Sequence, residues 1–225
     1  MTSLGILLDI SKSMMTKDVN FNGNDIVDYF SISPDTNNEK FLIYLDEIKN
    51  HNVITRCDAE NILAHALKEE LRTFVDEVAI GWYNSDASVI KNQNKNTYWF
   101  KLKKASIPEL KALSLIFYRI SRAASAGTNL SLGLKKIGEI LARRKNKKLL
   151  IITDSFWNIG VSPFSVIDTI DTKISVIFIN NNVNTIDKRG LFELVEETNG
   201  KFIEIKSITR DSIGNLETLK SWLVD

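Results

Sequence analysis

Cysteine, proline and histidine are scarce in this 225-residue chain, with one, three and two copies respectively. Cys57 has no second cysteine to pair with, so no internal disulfide holds the fold and an oxidising compartment is not required. No apolar run approaches the roughly 20 residues of a membrane-spanning helix. The run Leu4-Gly5-Ile6-Leu7-Leu8 is too short for the core of a signal peptide before polar residues begin. These absences predict a cytoplasmic protein with no membrane partner. Nor is charge of either sign in excess: 29 basic against 28 acidic residues leave no global field to recruit DNA, RNA or an anionic surface. A P-loop, a Gly-x-Gly-x-x-Gly and a serine elbow are all missing, and neither His51 nor His65 has an Asp or Ser at nucleophile spacing. The composition is otherwise that of an ordinary globular protein, 44% apolar and 25% charged, at a length suited to one domain spanning residues 1–225.

Short β-branched runs alternate with amphipathic stretches, which predicts an α/β fold: an open, doubly wound, mostly parallel sheet with helices on both faces and one antiparallel edge strand. Strands are expected at 3–8, 149–152, 174–179 and 201–205, with 78–83 and 97–102 forming an edge hairpin. A helix capped by Asp58 carries Leu63, Leu67 and Leu71 on one face, and Ser106-Ile107-Pro108-Glu109 is a capping box opening another. Further helices follow Gly127, Ser162 and Thr185, the last stopped by Gly200 in a left-handed conformation, and a terminal helix carries Leu216, Leu219 and Leu223. The Asn- and Asp-rich stretch from about 15 to 57 is too long for a βα loop. It reads as an insertion, a lid or partner-facing element with few apolar contacts and less stability than the sheet.

Asp9-Ile10-Ser11-Lys12-Ser13 follows the first strand directly, which puts its oxygen side chains at the carboxyl edge of the sheet, where open α/β folds bind ligands. Thr128 precedes a helix and Asp154 ends a strand, so three loops can converge there. Two carboxylates and three hydroxyls are hard, oxygen-only donors, suited to Mg²⁺ or Mn²⁺ and not to zinc or copper. Read without a metal, the same residues would be helix caps and turn formers.

Asp-x-Ser-x-Ser after the first strand, a later Gly-Thr-Asn and an Ile-Thr-Asp at a strand end together resemble the metal-ion-dependent adhesion site of the von Willebrand factor A family. The resemblance covers nearly the whole chain except the 15–57 stretch. It implies that Ser11 and Ser13 ligate the cation directly, Thr128 directly or through water, and Asp9 and Asp154 mainly through water. An Asp or Glu of a partner protein would fill the open position. Lys12 and Ser155 stand where the family commonly has glycine; neither change removes a ligand, and Lys12 adds a cation beside the site.

Other features have blander readings. Asp18-Val19-Asn20-Phe21-Asn22-Gly23 begins like an EF-hand calcium loop, but Tyr29 holds the twelfth position, so an Asn-Gly turn is preferred. The basic run Arg143 to Lys148 reads as a solvated helix end. Trp82, Trp99 and Trp222 read as core, whereas Trp157 and Lys12 are the residues expected to meet a partner. The function expected is a metal-dependent protein-binding module, not an enzyme, working beside an AAA-type ATPase or within another assembly. The competing readings are a metal-dependent hydrolase or phosphotransferase, which lacks an obvious base, and a nucleic-acid-associated scaffold.

Overall fold

A computed structural model describes residues 1–179 and 185–224. In chain order the strands are β1 (Ser3–Asp9), β2 (Lys17–Phe21), β3 (Val53–Thr55), β4 (Glu77–Tyr83), β5 (Ala87–Val89), β6 (Phe100–Lys101), β7 (Lys147–Thr153), β8 (Lys173–Ile179), β9 (Phe202–Ile205) and β10 (Ser207–Ile208). The helices are α1 (Gly23–Ser31), α2 (Glu39–Ile48), α3 (Arg56–Leu71), α4 (Ile107–Ile120), α5 (Leu130–Leu141), α6 (Phe164–Ile170), α7 (Thr185–Glu197), α8 (Arg210–Gly214) and α9 (Thr218–Val224). The main sheet runs β5-β4-β1-β7-β8-β9, parallel from β4 to β9, and β5 and β6 pair antiparallel with the two ends of β4. The doubly wound α/β architecture read from the sequence is thus the one observed.

β1 sits between β4 and β7 and is buried along its whole length, which is why it reads as an unbroken apolar run. Its pleat divides the residues between two cores. Leu4, Ile6 and Leu8 join the layer containing α3 and α4, whereas Leu7 joins Leu134 and Ile137 of α5 on the other face. Because the parallel strands share a register, with Ile6 opposite both Ile80 and Leu150, their carboxyl ends finish together at one rim. Asp9 and Thr153 lie at that rim.

Several local expectations are corrected. Thr55, not Asp58, caps α3: the Thr55 hydroxyl accepts the Asp58 N–H while the Asp58 carboxylate accepts the Thr55 N–H, a reciprocal box that starts the helix three residues earlier. The predicted second hairpin strand is reduced to Phe100–Lys101, with Ala87–Val89 taking the other end of β4. At the end of α7, Asn199 adopts the left-handed conformation. Gly200 serves close approach instead, since a Cβ there would lie 1.7 Å from the Ile174 carbonyl oxygen. Asn22-Gly23 is a helix start and not a hairpin turn: Asn22 caps α1, and Gly23 lets the helix pass the Lys49 carbonyl.

The larger correction concerns residues 15–57. They form β2, α1, α2 and β3, with β2 held between β3 and β10 in a second small sheet. Val19, Ile26, Phe30, Phe41, Leu45 and Ile54 are buried in the same core as α3 and the main sheet, so this stretch is a packed layer and not a sparsely held lid. Sandwiched beneath it, α3 buries polar groups as well. Lys68 donates to the Thr36 carbonyl and to Asn37 Oδ1, and His65 stacks on Phe41 at 3.5 Å with its Nε2 on Ser114 Oγ and Nδ1 on the Asn61 carbonyl. The basic run before β7 is also structural in part: Arg144 pairs with Glu77 and lies over Trp99, and the buried Lys148 reaches the Trp222 carbonyl. Trp99 and Trp222 are core residues as expected.

Candidate metal centre

Asp9 is fully buried at the end of β1, where its carboxylate is held from two sides. Oδ1 accepts the Ser11 N–H at 2.9 Å, turning the chain sharply after the strand, and Oδ2 accepts the Thr153 hydroxyl at 2.5 Å from the neighbouring strand end. The turn after Ser11, a short 3-10 segment at 12–15, brings Ser13 back over the rim. Ser11 Oγ and Ser13 Oγ are 2.9 Å apart, and Ser13 donates to Asp154 Oδ1 at 2.9 Å. As each hydroxyl has one proton, Ser11 donates to Ser13 and Ser13 to Asp154. Thr128 enters through Ser155, whose hydroxyl lies 3.4 Å from both Thr128 Oγ1 and Asp9 Oδ2. The Asn158 side chain accepts the Thr128 N–H at 2.8 Å, and the Asn158 N–H donates to the Thr128 carbonyl at 3.0 Å, locking the two loops together.

The structure therefore gathers all five residues singled out from the sequence, Asp9, Ser11, Ser13, Thr128 and Asp154, at one point of the rim. Lys12 is exposed at its edge, and Trp157 is 38% exposed on the adjoining loop. Ser155, a departure from the family pattern, is the hydroxyl that links Thr128 to Asp9.

Three charged residues of the site were not anticipated. Arg56, in the first turn of α3, donates through Nη1 to Asp154 Oδ2 at 2.6 Å and grips Asp18 of β2 through Nε at 3.0 Å and Nη2 at 2.6 Å. Glu60, one turn further along α3 and fully buried, accepts the Asp9 N–H on Oε1 at 2.9 Å, while its Oε2 has no hydrogen-bond partner. The Thr55-x-x-Asp58 capping box was the signal for the first: it moves the helix start back to Arg56 and places that residue beside the strand ends. Nothing in the local sequence marks Glu60.

Burial dominates the electrostatics. It pushes the Asp9 carboxyl up to about 7, with the charge of Asp154 adding to the effect and the hydrogen bonds from Thr153 and Ser11 opposing it. Glu60 is raised well above the usual carboxylate range by burial and then by Asp9. Asp154 is raised by burial against the lowering influence of Arg56. An oxygen-only set in which buried carboxylates repel each other fits a hard divalent cation. Among the described residues no group of three or more His, Cys, Asp or Glu side chains is disposed to hold a metal, so any cation here depends on the hydroxyls of Ser11, Ser13 and Thr128.

No known protein family's sequence profile and no curated protein sequence matches the chain. Solved structures do match its fold. The conserved hypothetical protein BatB from Bacteroides thetaiotaomicron aligns with a TM-score of 0.63 at 13% identity, over 100% of this chain and 99% of that one. An aerotolerance-related membrane protein from Bacteroides fragilis aligns with a TM-score of 0.60 at 13% identity, again over 100% and 99%. A von Willebrand factor type A protein from Catenulispora acidiphila gives 0.60 at 16% identity, over 99% of this chain and 42% of that one. The cytoplasmic placement expected from the sequence is corrected by these matches, because the full length of this fold is shared with a membrane protein. Among the described residues no helix is long and apolar enough to cross a membrane. The sheet order, its antiparallel edge and the covering helices are those of a von Willebrand factor A fold.

Proposed function

We propose that the chain is a protein-interaction module that takes up an Asp or Glu side chain of another protein through a Mg²⁺ or Mn²⁺ ion held by Ser11, Ser13 and Thr128, with Asp9 and Asp154 behind them. The observation that carries this reading is the hydrogen-bonded run from Ser11 through Ser13 to Asp154, joined to Thr128 by Ser155, at the carboxyl edge of a parallel sheet. When bound, the ion supplies a centre of positive charge that attracts an anionic oxygen. The chain's own residues supply the rest. Neutral hydroxyls leave that charge undiminished, Thr153 and the Ser11 N–H hold Asp9 in place, and Lys12 adds attraction over about 8 Å at physiological ionic strength. Trp157 flanks the rim as an aromatic contact for the partner.

Binding is preferred to catalysis because Glu60 meets the Asp9 backbone from beneath and His65 is locked between Phe41 and Ser114 in the core, so neither stands over the rim as a base. A role within a larger assembly, such as one built around an AAA-type ATPase, follows from the same reading. The test is affinity capture with the purified chain, in Mg²⁺ and in chelator. Capture should be lost in chelator and in the Ser11→Ala/Ser13→Ala variant, whose folding is followed by circular dichroism because Ser11 is buried and Ser13 donates to Asp154. A partner retained under both conditions would refute the metal-dependent mode.

A further inference from the structure

We infer that Arg56 is a built-in counter-ion of the metal centre, opposing the divalent cation and tying the centre to the layer formed by residues 17–55. This rests on the metal reading above and extends it to a residue outside the ligand set.

The geometry is specific. One guanidinium spans two carboxylates: it holds Asp18 with a two-pronged fork and Asp154 with its remaining terminal nitrogen. Its side chain is 10% exposed and that of Asp154 is fully covered, so the pairing is shielded from solvent. Arg56 is also fixed through its backbone, which donates to the Thr16 carbonyl at 3.1 Å. A guanidinium is not deprotonated in a protein, so Arg56 stays cationic between the two carboxylates.

Two consequences follow for a cation at this rim. First, Asp154 is committed on both oxygens, Oδ2 to Arg56 and Oδ1 to the Ser13 hydroxyl, which fixes it as an outlying charge. Second, a permanent positive charge on Asp154 offsets part of the attraction that Asp9 and Asp154 exert on a divalent ion. In the metal-free protein the same charge keeps Asp154 paired, so the rim remains assembled without metal. Arg56 thus trades metal affinity for a site that does not collapse when empty of charge, and it makes that affinity dependent on Asp18, a residue of the neighbouring layer.

The test uses the full chain and Mn²⁺ alone, with free Mn²⁺ followed by electron paramagnetic resonance and folding by circular dichroism. Arg56→Met/Asp18→Asn removes one positive and one negative charge, so the net charge is unchanged while Asp154 loses its partner. Mn²⁺ binding should tighten by about tenfold or more, since a charge of like sign has left the site, and the melting temperature in chelator should fall. Asp18→Asn alone leaves Arg56 wholly to Asp154 and should weaken Mn²⁺ binding. The two shifts are opposite in sign, which a merely structural disturbance would not produce, and the single variant decides the matter if the double variant does not fold. Equal Mn²⁺ affinity in the parent and both variants overturns the role of Arg56 and leaves the metal reading standing. No Mn²⁺ binding by the parent overturns both.

Discussion

Replacing Asp9 by Asn should stabilise the metal-free protein above neutral pH while abolishing its response to metal. Asp9 is fully buried, and its carboxyl ionises at about 7 in the fold against 3.8 for a free side chain. A carboxyl raised in this way favours the folded state fully below about 4, and that contribution is lost as pH rises through about 7. At about 1.4 kcal/mol per pH unit, ionising Asp9 costs the fold about 4 kcal/mol at pH 8. Asparagine avoids this cost and gives up only the 3.4 Å contact from the Ser155 hydroxyl, which still reaches Thr128 Oγ1. Its carbonyl can accept the Ser11 N–H, and its amide can donate to Thr153 Oγ1, whose own proton then turns to the Ser155 carbonyl already 2.7 Å away. With about 2–4 °C per kcal/mol for a chain of this size, the variant should melt about 10 °C higher than the parent at pH 8 in chelator, and the gap should close toward pH 5. Saturating Mg²⁺ should raise the melting temperature of the parent more at pH 8 than at pH 6, because the ion binds the ionised carboxylate, and should not move the variant. Thermal melts followed by circular dichroism decide it. A variant melting at or below the parent at pH 8 would refute the claim that burying the Asp9 charge costs the fold stability.

The packing makes further predictions. Phe41→Ala should destabilise by about 3–5 kcal/mol in urea unfolding, because Phe41 is fully buried and stacks on His65 and edge-on to Phe30; a loss below 1 kcal/mol would return residues 15–57 to the status of a loose lid. His65 is held neutral by burial and by Lys68, with its pKa well below 6.5, so its contribution to stability is present above 6.5 and lost as pH falls below it. In an Asp9→Asn background, where the raised carboxyls of Glu60 and Asp154 still favour the fold as pH falls, stability should fall further or rise less between pH 6.5 and 5 with His65 present than with His65→Phe. Limited chymotrypsin digestion should cut after the exposed Trp157 before any bond between residues 17 and 55, as read by mass spectrometry of the first fragments.

The alternation of strands and helices was legible because strands buried on both faces are uniformly apolar, as in β1 and β7, and because α4 carries its own capping box. The candidate site was legible for a related reason. Asp9, Ser11, Thr128 and Asp154 each sit within two residues of a strand end or helix start, and Ser13 follows four residues past the end of β1, so locating those ends located the site. Residues 15–57 were misjudged because their apolar side chains are spaced among Asn and Asp residues. Those polar residues turn out to be caps and clamps, such as Asn22, Asn37 and Asn38, and not marks of a loop.

Arg56 and Glu60 were illegible for a different reason, and it bears on how the site works. Their roles depend on α3 passing beneath the rim, a long-range fact carried by bonds that span 98 residues to Asp154 and 51 to Asp9. A ligand motif states which oxygens face a cation; it does not state what charge already stands behind them. Here the rim is underlain by Arg56 against Asp154 and by the buried Glu60 against the Asp9 backbone, one turn apart on α3. If a cation is held as proposed, its affinity would depend on Arg56 and Glu60 as well as on the five motif residues, and a chain with the same motif over a different helix would bind its cation differently.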